Sequence, residues 1–203
     1  MITKQEFINR GIANGNSSRA IDTFDSICPN FYDIQYTTPS EYMSYLWAQY
    51  RTIENTANSV NGKIFEYMLI SLFIRERIFP FYYQTQITFV SNVNFDFFIY
   101  TEEGPITLSV KTSLRERYKQ AVLEADTMLD VHRNSLNYLV SLDNQALATV
   151  NDKMERREII SLAGAIYTFS EDFDRLIYFI KSRRMTMAPN FNLVQYSQAL
   201  VVS

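Results

Sequence analysis

Two apolar stretches and the turn between them decide the fold of this chain: Val93-Asn-Phe-Asp-Phe-Phe-Ile-Tyr100, Glu102-Glu-Gly-Pro105 and Ile106-Thr-Leu-Ser-Val-Lys111. Both stretches have strand length, and the Gly-Pro pair favours a turn. They predict a β-hairpin whose first strand is half-buried. Each stretch also carries a charged residue, Asp96 or Lys111. Because a buried charge is costly without a partner, we expect these side chains to emerge together near one end of a sheet.

Helix and strand patterns surround this hairpin. Residues 1–60 are predicted to be mostly helical, with Ser17-Ser18 capping one helix and a second helix over 41–56. Asn61-Gly62 predicts a break, and an amphipathic helix over 63–77 follows and ends at Pro80. The other predictions are strands over 85–90, 136–142, 159–169 and 192–201, and helices over 115–131 and 173–181. This order is typical of an α/β fold with a mixed β-sheet flanked by helices.

Length and composition predict one domain and a cytoplasmic protein. The chain has 203 residues, 47% of them hydrophobic, which suits a single domain with a sizeable core. We expect residues 1–60 to be a helical N-terminal region of that domain and 61–203 its core. A single cysteine excludes an internal disulfide framework and a multi-cysteine metal site. No apolar run is long enough to span a membrane, and no signal-peptide core is present.

The net charge of −3 argues against a general polyanion binder but does not exclude nucleic acid. What matters for nucleic-acid binding is where the basic residues lie. They cluster at 111–119, 153–157 and 181–184. The pattern is therefore compatible with a protein that binds DNA through local basic segments and uses acidic residues for a metal.

Asp96 and Lys111 suggest phosphodiester chemistry. Magnesium prefers oxygen ligands and is often held by one or two carboxylates together with substrate phosphates and water. A nearby ammonium can orient the attacking water and stabilise the charge that develops on the phosphorus group. An aspartate, a second acid and a lysine are thus a minimal hydrolytic set.

These residues resemble the PD-(D/E)xK nucleases, in particular type II restriction endonucleases, over roughly residues 60–145. That family has an aspartate on one strand and Asp/Glu-x-Lys on the next, and Asp96 and Lys111 match the first and last positions. Two positions depart from the pattern. Phe95 stands where the family has proline, and Ser109 stands where it has an acid, so the simple pattern is one carboxylate short.

One branch of the family, which cuts CCGG and interrupted CCNGG-type sites, takes its second acid from the following helix. Glu124 lies thirteen residues after Lys111, which is the spacing of that branch. The branch also carries an Arg-Glu-Arg-like element just after the lysine, and Arg115-Glu116-Arg117 matches it. Glu66 resembles the accessory acid that many members carry on the helix before the sheet.

The resemblance implies a role for each of these residues. Asp96 and Glu124 would hold Mg²⁺, and Lys111 would position the water and stabilise charge. Glu66 would support a metal-bound water or a second metal. Ser109 would hydrogen-bond near the site without ligating the metal directly. The implied partner is double-stranded DNA, and cutting a palindrome on both strands implies a homodimer, with a tetramer as the alternative.

The triplet at 115–117 is also chemically suited to reading C·G pairs. A glutamate accepts hydrogen bonds from the N4 amino groups of cytosine, and an arginine donates two bonds to O6 and N7 of guanine. Arg115, Glu116 and Arg117 are therefore expected to read a short palindromic site containing CC/GG steps.

Other interpretations of the same residues remain open. The chain could be a repair or structure-specific endonuclease of the same fold, with the triplet only contacting phosphates. It could also be a non-catalytic DNA-binding module in which Asp96, Lys111 and Glu124 form a structural ion-pair cluster. A second triplet, Arg75-Glu76-Arg77, has no matching downstream pattern and is expected to be a solvated helix face. Trp47 is expected to pack in the core, with base flipping as its alternative role.

Overall fold

A computed structural model describes residues 2–14, 18–53, 58–88, 93–189 and 193–203, without the side chains of 58 and 59. Among these residues there are seven α-helices, one short 3-10 turn (Phe31–Asp33) and six strands. The helices are α1 (Ile2–Asn9), α2 (Arg19–Ile27), α3 (Pro39–Arg51), α4 (Asn58–Arg75), α5 (Arg117–Val131), α6 (Asn144–Glu155) and α7 (Glu171–Ser182). The strands are β1 (Phe81–Ile87), β2 (Phe95–Thr101), β3 (Gly104–Lys111), β4 (Leu136–Ser141), β5 (Gly164–Tyr167) and β6 (Val194–Val201).

The six strands form one mixed sheet in the order β5-β4-β3-β2-β1-β6. β3, β4 and β5 run parallel to one another, while the pairs β6–β1, β1–β2 and β2–β3 are antiparallel. The parallel half needs crossover connections, and α5 and α6 supply them. This is the predicted α/β architecture, a mixed sheet flanked by helices.

The predicted hairpin is present as β2 and β3. Its turn closes at the pair Thr101–Gly104, where Gly104 has a φ of +136° and an added Cβ would lie 2.8 Å from the carbonyl oxygen of Asn134. Only glycine fits that position without strain. The first strand is not half-buried as expected: six of its seven residues are buried. The sequence alternation was misleading here because β2 is a central strand with a packed cluster on each face.

The long helix α4 corrects two predictions. It runs from Asn58 to Arg75 without a break at Asn61-Gly62, and it is not amphipathic, because residues 67–74 are all buried. An added Cβ at Gly62 would meet no atom within 4 Å, so no close contact requires glycine there. One glycine costs a helix about 1 kcal/mol, which burial of the rest of the helix readily offsets.

The N-terminal helices pack on α4 and share its core. Phe7, Phe24 and Phe31 are fully buried in one cluster with α4 and the sheet. Ser18 caps α2 by accepting from the backbone N–H of Ile21, as expected, whereas Ser17 lies outside the described residues. The helix expected over 41–56 starts at Pro39 and ends at Arg51, while 54–57 are not described.

The remaining boundaries follow the predictions with some shifts. β1 starts at Phe81 rather than at 85, and Val90 and Asn192, the predicted ends of two strands, lie outside the described residues. The strand expected over 159–169 is only Gly164–Tyr167, and α6 was not predicted. Helix α5 begins at Arg117, two residues later than expected, because Arg115 has a left-handed φ of 34° that a helix does not accept.

Candidate active site

The centre of the candidate site is an ion pair between Asp96 and Lys111. The β2–β3 pairing extends from Thr101–Gly104 to Phe97–Leu108, and the backbone N–H of Val110 then donates to Asp96 Oδ2 at 2.7 Å instead. The same oxygen accepts from Lys111 Nζ at 2.7 Å. The side chains of Asp96 and Lys111 are 11% and 13% exposed. The carboxylate therefore joins the strand ends and holds the lysine at the edge of the site.

Glu124 lies on α5, whose N-terminal end follows β3 closely in the chain, and it is buried with 3% exposure. Its Oε1 accepts from the amide of Gln120 at 2.8 Å. Its Oε2 has no hydrogen-bond partner among the described residues, and neither has the hydroxyl of Ser109. Burial raises the pKa of Glu124 to about 6; Lys111 opposes the shift, Asp96 adds to it, and Ser109 and Gln120 also lower the pKa.

All three predicted acids affect the pKa of Lys111. Burial disfavours its charged form, but Asp96, Glu124 and Glu66 outweigh burial and raise the pKa of Lys111. The structure thus brings the four predicted residues into one electrostatic unit. Lys111 stays protonated at neutral pH, as a charge-stabilising group requires.

Glu66 projects from α4 toward this unit and is held by a polar cluster. Its Oε2 accepts from Lys63 Nζ at 3.1 Å, from Gln84 Nε2 at 3.2 Å and from the hydroxyl of Tyr83. Lys63 also donates to the Tyr83 hydroxyl at 2.6 Å. Burial raises the pKa of Glu66; Lys63 counteracts burial and Asp96 reinforces it.

Gln84 was missed by the sequence reasoning. Its amide nitrogen also donates to Asp96 Oδ1 at 3.3 Å, so it connects Asp96 with Glu66. The predicted strand began at 85, which left this residue outside any element, and a polar residue there had no recognisable signature.

The triplet at 115–117 lies in the connection between β3 and α5, beside the candidate site in the chain. All three residues are exposed. Among the described residues, the side chains of Arg115 and Arg117 have no hydrogen-bond or ion-pair partner, and Glu116 pairs with Lys119. Two arginines are thus presented to solvent without an internal role.

The triplet at 75–77 was expected to be a solvated face, and this is wrong for two of its three residues. Arg75 donates from Nη1 to the carbonyl oxygens of Phe31 at 2.5 Å and Ile34 at 2.6 Å. Glu76 accepts from the hydroxyl of Tyr36 at 2.6 Å. Both side chains are half-buried, and only Arg77 is exposed.

Trp47 and the basic segment at 181–184 both have partners within the described structure. Trp47 is half-buried, with ring centroids 5.3 Å from Tyr50 and 6.4 Å from Phe65, as expected for a packing residue. The basic segment at 181–184 is engaged in ion pairs, which are Lys181–Glu76, Arg183–Glu103 and Arg184–Glu102. These basic side chains already have acidic neighbours, so they are weaker candidates for DNA contact than those of 115–117.

The donor chemistry fits a hard divalent cation. Glu124 Oε2 and the Ser109 hydroxyl are buried; Ser109 lies close enough to lower the pKa of Glu124, yet neither oxygen has a hydrogen-bond partner of normal length among the described residues. Such atoms cost free energy unless a ligand, ion or water satisfies them. Within the described ranges no three His, Cys, Asp or Glu side chains converge as a ready-made metal cluster. Magnesium needs fewer than three such protein ligands, since waters and substrate phosphates complete its coordination shell.

No described helix is both long and apolar enough to cross a lipid bilayer.

Comparisons with known proteins agree with this architecture. No protein-family model matches the chain, and no curated protein matches it. The structure is similar to that of the restriction endonuclease PspGI, solved in complex with substrate DNA, with a TM-score of 0.52 and 16% sequence identity. The similarity covers 93% of this chain and 84% of that chain. At this identity the likeness establishes the fold, so the chain has a restriction-endonuclease-like fold.

Proposed function

We propose that this protein is a magnesium-dependent endonuclease of the PD-(D/E)xK type, acting on double-stranded DNA as a type II restriction enzyme. The observation that carries the proposal is the 2.7 Å contact between Lys111 and Asp96, with buried Glu124 in the same electrostatic unit. An aspartate and a lysine at the ends of adjacent strands, with an acid from the next helix, are what the chemistry requires. The fold that surrounds them is restriction-endonuclease-like.

Asp96 and Glu124 are the residues that would hold Mg²⁺, with Glu66 in support. When bound, such a cation supplies Lewis-acid stabilisation of the phosphate charge and lowers the pKa of a coordinated water. Glu124 offers a buried oxygen that has no other partner in the described residues. Asp96 offers Oδ1, whose described contact is a long hydrogen bond of 3.3 Å from a neutral amide. Asp96 and Glu124 thus each keep an oxygen that could ligate the cation.

Lys111 would act on the DNA itself. Its ammonium is fixed by Asp96, and the surrounding carboxylates keep it protonated. A fixed positive charge next to the scissile phosphate stabilises the negative charge that grows there in the transition state. The same ammonium can orient the attacking water. Ser109 would contribute only a polar neighbour to Glu124.

Arg115, Glu116 and Arg117 would read C·G pairs in the major groove. They are exposed, they follow the strand that carries Lys111, and both arginines lack competing partners in the described structure. Each bidentate arginine–guanine contact contributes about 1–3 kcal/mol of discrimination against a wrong base. A palindromic site read in this way has two equivalent halves, so a homodimer is the proposed working unit.

Digestion of phage DNA in the presence of Mg²⁺, followed by sequencing of the fragment ends, tests the proposal. Discrete fragments ending at one short palindrome with CC/GG steps are expected. Random ends or nicks at branched structures would instead support a repair or structure-specific endonuclease. Absence of cleavage with Mg²⁺, Mn²⁺ or Co²⁺ would contradict the enzymatic function.

A non-catalytic DNA-binding module is the second candidate, favoured by one observation. Lys111 and Asp96 already satisfy each other, as in a structural ion pair. In that case replacement of Asp96 by alanine would destabilise the fold and leave DNA affinity unchanged in the folded fraction. In the enzyme it abolishes cleavage under conditions where the variant is folded.

A further inference from the structure

Gln84 lies between two of the acidic residues of the candidate site. Its Nε2 donates to Glu66 Oε2 at 3.2 Å and to Asp96 Oδ1 at 3.3 Å. Glu66 comes from helix α4 and Asp96 from strand β2, so the two carboxylates belong to different elements. Among the described residues, the carboxamide of Gln84 donates to both carboxylates at once.

The backbone at Gln84 is unusual for a strand. Its φ is +50°, in the left-handed region, although it lies inside β1 between the paired positions Tyr83–Phe97 and Thr85–Phe95. For a residue other than glycine this conformation is sterically unfavourable. Strain of this kind persists where the surrounding contacts enforce it, and it is concentrated at functional sites. The strained backbone goes together with a side chain that reaches both acids.

The orientation of the carboxamide follows from its neighbours. Asn94 Nδ2 donates to Gln84 Oε1, so the oxygen faces Asn94 and the amino group faces the carboxylates. With the carboxamide turned round, its oxygen would face the two carboxylates, and its amino group would face the amino group of Asn94. Gln84 is therefore locked with its two N–H groups toward the acids.

We propose that Gln84 is a positioning residue that fixes the spacing between Glu66 and Asp96 and thereby raises the affinity of the site for a divalent cation. This inference rests on the proposed function. Two carboxylates in a shared site repel each other, and a donor that contacts both offsets part of this repulsion in the metal-free protein. The amide links them without adding a positive charge that would compete with the cation. Partners that orient metal ligands in this way typically change metal affinity 10–100-fold when removed.

Isothermal titration of the purified protein with MnCl₂, without DNA, tests the inference directly. Gln84→Met keeps the length of the side chain and removes both hydrogen bonds to the carboxylates, together with the one from Asn94. Its Mn²⁺ affinity is expected to fall about tenfold or more. Gln86→Met is the matched control, since Gln86 is an exposed residue of the same strand. It is expected to bind Mn²⁺ like the wild type.

A thermal unfolding midpoint in EDTA separates positioning from a purely structural role. The midpoint of Gln84→Met should stay close to that of the wild type while Mn²⁺ affinity falls. Asn94→Ala, which frees the carboxamide to turn, should show a smaller loss of affinity in the same direction, and it serves if Gln84→Met does not fold. Equal Mn²⁺ affinity in wild type and either variant overturns the inference.

The failure of the proposed function gives a different result. If the wild type cuts plasmid DNA with Mg²⁺ and Gln84→Met binds Mn²⁺ normally, the inference fails and the nuclease function stands. If the wild type binds Mn²⁺ more tightly than Gln84→Met but cuts no DNA, the positioning role stands and the nuclease function fails. A wild type that binds no Mn²⁺ but cuts DNA overturns the inference alone, and one that does neither overturns both.

Discussion

The chain contains the tripeptide Arg-Glu-Arg twice, at 75–77 and at 115–117, and the fold uses the two copies differently. Arg75 is half-buried and donates to two backbone carbonyls, while its guanidinium lies 4.7 Å from the ring centroid of Tyr36. Arg115 and Arg117 are exposed and have no side-chain partner among the described residues. The first copy ties the end of α4 to the N-terminal region, whereas the second leaves its arginines unused by the fold.

The comparison shows that the role of a charged triplet is determined by the residues around it and not by its own sequence. At 75–77 the neighbours are carbonyl oxygens, tyrosines and Lys181, which fit a structural junction. At 115–117 the neighbours along the chain are Lys111 and Glu124, in the candidate active site. If this contrast is correct, substitutions in the first copy change stability and substitutions in the second change DNA recognition.

The largest expected effect is on stability, in Arg75→Met. This change keeps an apolar stem but leaves the carbonyl oxygens of Phe31 and Ile34 without their donor. The free energy of unfolding should therefore fall by about 3 kcal/mol. Urea unfolding measures the loss. Arg77→Met is the matched control, because Arg77 is the exposed arginine of the same triplet. An equal loss in both variants would show that the contacts of Arg75 contribute nothing.

The second effect concerns recognition, in Arg115→Lys. Lysine keeps the charge but cannot make the bidentate contact to guanine, so discrimination against a wrong base should fall by about 2 kcal/mol. The measurement is the ratio of cleavage rates on a cognate oligonucleotide and on one with a single C·G pair replaced. The unfolding free energy should not change. An unaltered ratio would mean that Arg115 does not read a base.

A third prediction contrasts the buried acid of the site with the acid of the structural triplet. Glu124→Gln should stabilise the metal-free protein at pH 7 by up to about 2 kcal/mol, because burial raises the pKa of Glu124 from its ordinary 4.5 to about 6. Glu76→Gln should instead destabilise it, since Glu76 pairs with Lys181 at 2.7 Å. Urea unfolding in EDTA measures both.

The sign of the pH dependence follows from the raised pKa. The folded protein binds this proton more tightly than the unfolded chain, so ionised Glu124 destabilises the fold above pH 6. As pH falls from 7 through 6 toward 4.5, the wild type should gain this stability, and the advantage of Glu124→Gln should disappear. An advantage that is the same at pH 4.5 and pH 7 would contradict the assignment.

The smallest effect is expected at Lys119→Ala. Lys119 pairs with Glu116 on the surface, where ion pairs contribute little to stability. The unfolding free energy should therefore be unchanged within error. Because the ion pair competes with the DNA bases for Glu116, its loss should not slow cleavage of the cognate site. A clear loss of stability would mean that the second triplet is also structural.

The site could be predicted where its geometry is local in the chain. Asp96 and Lys111 lie on a hairpin, and two apolar stretches of strand length with a Gly-Pro turn between them are sufficient to predict it. Glu124 follows Lys111 on the next helix at a fixed spacing. The mixed sheet also follows from the order of elements.

The failures arise where long-range contacts decide the outcome. Burial of residues 67–74 on all sides stabilises α4, which stays helical through Gly62, and sequence alone does not reveal which segment will be central. Arg75 has its partners more than forty positions away in the chain, and Gln84 acquires its contacts with Glu66 and Asp96 only when α4 and β2 are packed around it. These are tertiary effects that override local pattern.

Single-turnover cleavage of plasmid DNA with Mg²⁺ by Lys111→Ala tests the central claim most directly. Lys4→Ala is the control, since Lys4 lies on α1, outside the basic clusters and the candidate site, and pairs with Asp22 of α2. We expect Lys111→Ala to cut at least about 100-fold more slowly than the wild type, because a fixed charge that stabilises the transition state is removed. The control should cut at the wild-type rate. Wild-type cleavage by folded Lys111→Ala would contradict the assignment of this site as the active centre.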